Sequence, residues 1–250
     1  MWKIQSGDSL NTYISRTKHR SLHSRGLRDL LERGMNAVVL RRTSYGLRRH
    51  LHTSCLPPTT KLPLMVRELN HSDTPLILPY HLAASDRREG QQINQRRKLL
   101  AQNIPTPFVA IDQSSSRPCF IQWAFDSSHN DFITHFFKGR FPRLKQGEVL
   151  LENAYTHPHY RGQGVMPVAM SLIADIIAAR GAREVMTFVE TTNIPSLKGC
   201  TRAGFQPFMI RKDLSLCGGL KRYQTFEPIL PNTELDFLKQ AVSLLGTINS

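Results

Sequence analysis

Glu148-Val-Leu-Leu-Glu-Asn-Ala-Tyr-Thr156 mixes β-favouring and apolar residues over the length of one strand, and His157-Pro158 ends it because proline supplies no ladder donor. The turn Tyr160-Arg161-Gly162-Gln163-Gly164 follows. Beyond it Val165, Val168, Ala169, Leu172, Ile173, Ile176 and Ile177 recur at steps of three and four, which places them on one face of a helix closed by Gly181. The first turn of such a helix has main-chain N–H groups without partners and a positive potential, and two glycines let a ligand approach the backbone. Strand, Arg-Gly-Gln-Gly and helix together make a candidate cradle for a nucleotide-like anion. It lacks the Gly-Lys-Ser/Thr ending of a Walker loop and the three-glycine dinucleotide fingerprint.

Downstream, Glu184-Val-Met-Thr-Phe-Val189 reads as the next strand, followed by Asn193-Ile-Pro-Ser196 and then Arg202-Ala-Gly204-Phe205. The two blocks resemble the GNAT superfamily of N-acetyltransferases. Its central motif, Arg/Gln-x-x-Gly-x-Gly/Ala, is met at Arg161 and Gly164, with Met166 where a small residue is usual. Its second block has an Asn, a small residue three further on and a Gly-Phe pair, met here in the same order.

The resemblance covers roughly residues 62–228. It implies an α/β fold with a mixed sheet of about six to seven strands, flanking helices, and fourth and fifth strands that splay apart to admit acetyl-CoA. Ala154, Tyr155 and Thr156 would then offer backbone to the pantetheine and thioester. The amides of Gly162, Gln163, Gly164, Val165 and Met166, beside Arg161, would hold the diphosphate, with Asn193 and Ser196 at the second block. Pro167 has no N–H, so one potential donor is missing. The tyrosine that often protonates the departing thiolate in this family falls at Cys200, a thiol whose bland reading is a small core residue. An amine nucleophile needs a base at neutral pH. Glu152 is the first choice, with Glu148 on the same face of the strand and Glu190 ending the next one. The implied activity is acyl-CoA-dependent N-acylation, acetyl first, of a primary amine in a ternary complex, with acetyl-CoA as donor and no metal. The alternatives are a long-chain N-acyltransferase using acyl carrier protein or acyl-CoA, and a non-enzymatic basic protein that binds CoA or an anionic surface.

Length allows a full core with one domain and an appendage. The formal net charge is +14, and residues 1–60 hold 11 Lys/Arg against three acids. That bias suits an anionic membrane surface or nucleic acid as partner, or a solvated basic face. The four cysteines form no Cys-x-x-Cys pair, which fits free thiols and implies no zinc site. No apolar run is long enough to span a bilayer and no secretory signal opens the chain, so the expected location is cytoplasmic, with peripheral membrane association and an Arg- and Ser-rich mitochondrial leader as alternatives. Three segments are expected: a basic, partly helical extension over 1–60 with a helix from Leu27 to Leu40 and a linker at Pro57-Pro58; the acetyltransferase domain over 61–228; and a helix over 229–250. Within the domain, Leu64 to Leu69 reads as a strand, 74–102 as helical, and Pro107 to Phe125 as a hairpin. Residues 126–147 read as irregular and aromatic, and Pro207 to Phe226 as a closing hairpin.

Overall fold

The computed structural model describes residues 39–53, 55–79, 87–102, 104–216 and 221–229. Eight strands form one sheet: β1 (Val39–His50), β2 (Leu64–Glu68), β3 (Phe108–Asp112), β4 (Arg117–Phe125), β5 (Glu148–Thr156), β6 (Glu184–Glu190), β7 (Gln206–Leu216) and β8 (Lys221–Pro228). Their order is β2-β3-β4-β5-β6-β1-β7-β8. Five helices are described: α1 (Thr74–Ile77), α2 (Arg87–Leu100), α3 (Asn130–Phe136), α4 (Val165–Ala179) and α5 (Ile194–Arg202).

The alternation of side chains along the strands builds a core on each face of the sheet. One core joins Leu47, Phe120, Leu151 and Val185 to the apolar stripe of α4 and to Leu197 and Cys200 of α5. The other joins Ile121, Trp123, Leu150, Tyr155 and Phe188 to Ile77, Ile93, Leu99 and Ile133 of α1, α2 and α3. Of the expected α4 stripe Val165, Ala169, Ile173 and Ile177 are buried, while Val168, Leu172 and Ile176 are half-buried and Met170 and Ala174 complete the buried face; Gly181 beyond the helix takes the left-handed conformation at φ 94°.

The main departure from the sequence reading is β1. Residues assigned to a separate basic extension form a strand that pairs antiparallel with both β6 and β7. Val39 and Leu40, expected to end a helix, lie in this strand; the rest of that helix, 27–38, lies outside the described residues. The strand supplies the eighth member of a sheet expected to have six or seven, so the sheet begins well before Lys61. Tyr45 and Leu47 are buried, and Gly46 has no room for a side chain: a Cβ there would stand 2.5 Å from Met209 Cγ. Arg49, also buried, donates to Ser171 Oγ (3.1 Å) in α4 and to the Ala203 carbonyl (3.2 Å) beyond α5, tying the strand to both helices.

The hairpin β3–β4 forms where expected. The stretch 126–147 is less irregular than its sequence suggests, since it holds α3 preceded by a single 3-10 turn over Ser127–His129. Helical structure in 74–102 is confined to α1 and α2, with residues 80–86 outside the described set. The expected helix at 229–250 and the Cys217-Gly218-Gly219 turn also fall outside it, although β7 and β8 pair as the hairpin requires.

Candidate active site

Strands β5 and β6 run parallel and are in register only at Glu148↔Glu184, Val149↔Val185 and Leu150↔Met186. Beyond Leu150 they part. The cause lies in β5: Asn153 takes φ 56°, and Asn153 and Ala154 together oppose the single residue Gln122 of β4. Such a bulge bends and twists its strand, and here it turns the second half of β5 away from β6.

The mouth of this gap is the turn before α4. Gly162 and Gly164 both have φ 78°, a conformation that costs other residues about 1–2 kcal/mol. A Cβ on Gly162 would meet nothing within 4 Å, so the backbone is open there to a ligand. A Cβ on Gly164 would stand 2.9 Å from the Thr59 carbonyl, because Thr59 and Thr60 lie against the turn, and Thr60 Oγ1 donates to the Gln163 carbonyl at 2.7 Å. The Pro57-Pro58-Thr-Thr stretch, expected to be a linker, therefore braces the cradle. Gln163 folds its amide back to the His159 carbonyl (2.7 Å), leaving main-chain groups as its offering. Val165 and Met166 stand at the first turn of α4, where amides have no intrahelical acceptor, and Pro167 removes a donor that would have been free anyway. The bulky Met166 is accommodated by Gly199 of α5, where a Cβ would approach its sulfur to 3.1 Å.

Arg161 turns away from the turn's open side. It donates through Nη2 to Glu89 Oε1 of α2 (2.7 Å) and through Nε to the Thr156 carbonyl (3.1 Å). Arg96, also on α2, donates to the carbonyls of Asn153 (3.1 Å) and Ala154 (2.7 Å), and the two guanidiniums flank the ring of Tyr155 at 5.0 and 5.7 Å. Burial pushes the Arg96 guanidinium down to about 10. Of the three residues expected to offer backbone, Ala154 and Thr156 thus have their carbonyls engaged by arginines. The phenol of Tyr155 is driven upward by burial and by its hydrogen bond to Glu89.

Glu152 lies at the start of the parted section. Its Oε1 accepts from the Asn153 amide (3.0 Å), whereas Oε2 is shut off from solvent and has no hydrogen-bond partner. Burial raises its carboxyl above the ordinary range, against the opposing pull of the Asn153 amide and of Arg211, Arg140 and Arg96. Its cross-strand partner Trp123 has an equally buried and unpartnered Nε1. A donor and an acceptor thus lie unpartnered on adjacent strands, which is rare for buried polar groups.

The other three candidates are not assembled there. Glu148 sits where β5 and β6 are still zipped, and its Oε2 accepts from the Lys145 amide (2.8 Å). Glu190 ends β6 in an exposed ion pair with Arg42 (3.1 Å). Cys200 lies in the core, its thiol pushed up to about 12 by burial and by the charge of Glu152. A thiol that keeps its proton so firmly is a poor acid toward a leaving thiolate, which leaves Cys200 as a packing residue. Asn193 caps α5, accepting from the Ser196 amide (3.3 Å). Arg96, Glu89 and Trp123 were not singled out from the sequence. The basic run of α2 looks like a solvated face, and only packing shows Arg96 turned inward.

Residues 105–205 match the family model described as the Acetyltransferase (GNAT) family. Among solved structures, the glucosamine N-acetyltransferase region of a fungal multi-domain β-N-acetylglucosaminidase superposes with a TM-score of 0.50 at 12% identity, covering 75% of this chain and 22% of that one. A GNAT-family acetyltransferase from Colwellia psychrerythraea gives 0.46 at 13% identity over 81% of this chain and 62% of that one. A Drosophila protein gives 0.46 at 13%, over 78% and 57%. At these identities the likeness is one of fold, and this chain spans less than two thirds of the length of each. Comparison with curated protein sequences finds no match.

Proposed function

We propose, because the chain is a member of the GNAT acetyltransferase family, that it transfers an acyl group, acetyl first, from acyl-CoA to a primary amine by direct attack. The observation that carries this reading is the gap between β5 and β6, with the open turn at Gly162 at its mouth and the unpartnered Glu152 Oε2 inside. The residues present fit the donor. The turn and first amides of α4 suit a diphosphate, and the parted strand suits the pantetheine arm. Arg161 is near enough to the turn to join the diphosphate once it leaves Glu89.

In the reaction the amine nitrogen attacks the thioester carbonyl, its surplus proton passes to Glu152, and the carbon–sulfur bond breaks to release CoA. The raised basicity of Glu152 brings it closer to that of an amine proton at neutral pH, which is what a general base requires. The thiolate of CoA needs no strong acid to depart, consistent with the firmly protonated Cys200. The test is thiol release from acetyl-CoA on addition of amines, read with mass spectrometry of the product. Glu152→Gln is expected to lower kcat by about 10²–10⁴ while acetyl-CoA affinity holds. Equal kcat in the variant would clear Glu152 of the role, and no release from acetyl- or longer acyl-CoA with any amine would remove the function.

A further inference from the structure

We propose that the acceptor amine carries a second, anionic group, a carboxylate or a phosphate, received by a basic pocket over β1, β7 and β8. This rests on the proposed function. The pocket is an open recess of about 140 Å³ lined by Arg42, Arg140, Arg222, Asp213, Tyr223 and Gln224 among others. Lys138 and Gly139 turn the chain sharply after α3, both in the left-handed region (φ 55° and 71°), and so bring Arg140 to the wall of the pocket. A Cβ on Gly139 would lie 3.6 Å from the Gln224 side chain, showing how closely that turn sits on β8.

The charge of this pocket is unbalanced. Arg42 is held by Glu190 at 3.1 Å. Arg140 reaches Asp213 only at 3.5 Å, and that oxygen already accepts from the buried Arg211 at 3.0 Å. Arg222 makes no ion pair with a carboxylate among the described residues. Guanidiniums are forks suited to the oxygens of a carboxylate or phosphate, and a Tyr hydroxyl and a Gln amide nearby add uncharged donors.

The pocket and the gap share one face of the sheet. Arg211 lies over the rings of Phe141 (5.4 Å) and Phe188 (5.1 Å), on the face of the sheet where Trp123 packs, and Arg140 and Arg211 both act on the charge of Glu152. From β5 to β7 there are three steps in the strand order, each about 4.8 Å where strands pair and more where β5 and β6 part, so amine and anion in one acceptor would stand about 15 Å or more apart.

Two measurements test this. Inorganic phosphate and glutarate are titrated separately into the full chain, wild type and Arg140→Ala/Arg222→Ala, by calorimetry at low salt. The relevant signal is the component lost in the double variant, because the turn before α4 also binds phosphate on the reading above. At least one anion is expected to weaken about tenfold, and the one that weakens more identifies a phosphorylated or a carboxylated acceptor. Identical isotherms for both anions would overturn the proposal, and unchanged acetyl-CoA affinity guards against misfolding. In the second measurement, amines of matched length with anionic and neutral far ends compete for acylation. A preference of about tenfold in kcat/KM for the anionic end, abolished in Arg222→Ala, supports the pocket. Turnover without preference refutes the pocket and leaves the acyltransferase standing. If no amine is acylated the function fails, and the anion isotherms still decide the pocket.

Discussion

Glu152 joins two opposing demands. A carboxyl whose proton is held more tightly in the folded chain than in the unfolded one favours the fold at low pH, and that advantage is lost as pH rises through the raised folded value. On the proposed function the same ionisation creates the base. Acyl transfer to amines is therefore expected to fall away as pH drops through a value above the ordinary glutamate range, seen as an acidic limb in kcat/KM. Glu152→Gln should erase that limb in whatever activity remains. It should also melt higher than the wild type at pH 8, by about 2–4 °C for each kcal/mol relieved, with the gap closing near pH 4 where both carry no charge at this position. An acidic limb that persists unchanged in the variant would assign it to another group. From the sequence, Glu152 was legible as one of several acids beside a predicted gap. Its lone oxygen and its Trp123 neighbour depend on two strands meeting, which no local pattern reports.

The turn before α4 and the helix α2 are tied together by Arg161, which donates to Glu89. Gly162 and Gly164 share one backbone conformation but differ in surroundings, so alanine at each should separate strain from space. Gly162→Ala is expected to cost about 1–2 kcal/mol from its positive φ alone. Gly164→Ala should cost more, because it also drives a methyl group against the Thr59 carbonyl; urea midpoints that rank the two the other way would contradict the bracing role of Thr59 and Thr60. Glu89 holds the Arg161 guanidinium at 2.7 Å, and on the proposed function it would compete with an incoming diphosphate. Glu89→Gln keeps the shape and removes the charge, and acetyl-CoA should bind several-fold tighter by calorimetry; weaker binding would mean that Glu89 positions Arg161 and does not compete for it. The Arg-Gly-Gln-Gly turn was readable because glycine and helix signals are local. The Glu89 contact was not, since it joins residues 72 positions apart.

At the scale of the molecule, β1 reorders what the chain needs in order to fold. It stands between β6 and β7, and its Leu47 is fully buried. A chain starting at Lys61 would leave β6 and β7 without the strand that bridges them, and it is expected to be unfolded or aggregated by circular dichroism and gel filtration. Leu47→Ala should cost about 2–5 kcal/mol through the cavity it leaves. A folded, CoA-binding fragment from Lys61 would show that the smaller sheet suffices.

Local sequence was enough for the strand–turn–helix unit at Glu148 to Gly181, for the hairpin β3–β4, and for the likeness to the GNAT family that the model match over residues 105–205 supports. Their information is local: proline ends a strand, glycine permits a left-handed turn, and apolar spacing of three and four marks a helix face. That Val39–His50 is a strand inside the sheet emerges only once its neighbours are in place. Its run of arginines resembles a solvated tail, because neighbouring strands supply the hydrogen bonds and carboxylates that let such a segment be half buried. The same holds for Arg96. Whether a guanidinium faces water or main-chain carbonyls depends on a bulge more than fifty residues away, and burial of that kind is a property of the assembled sheet.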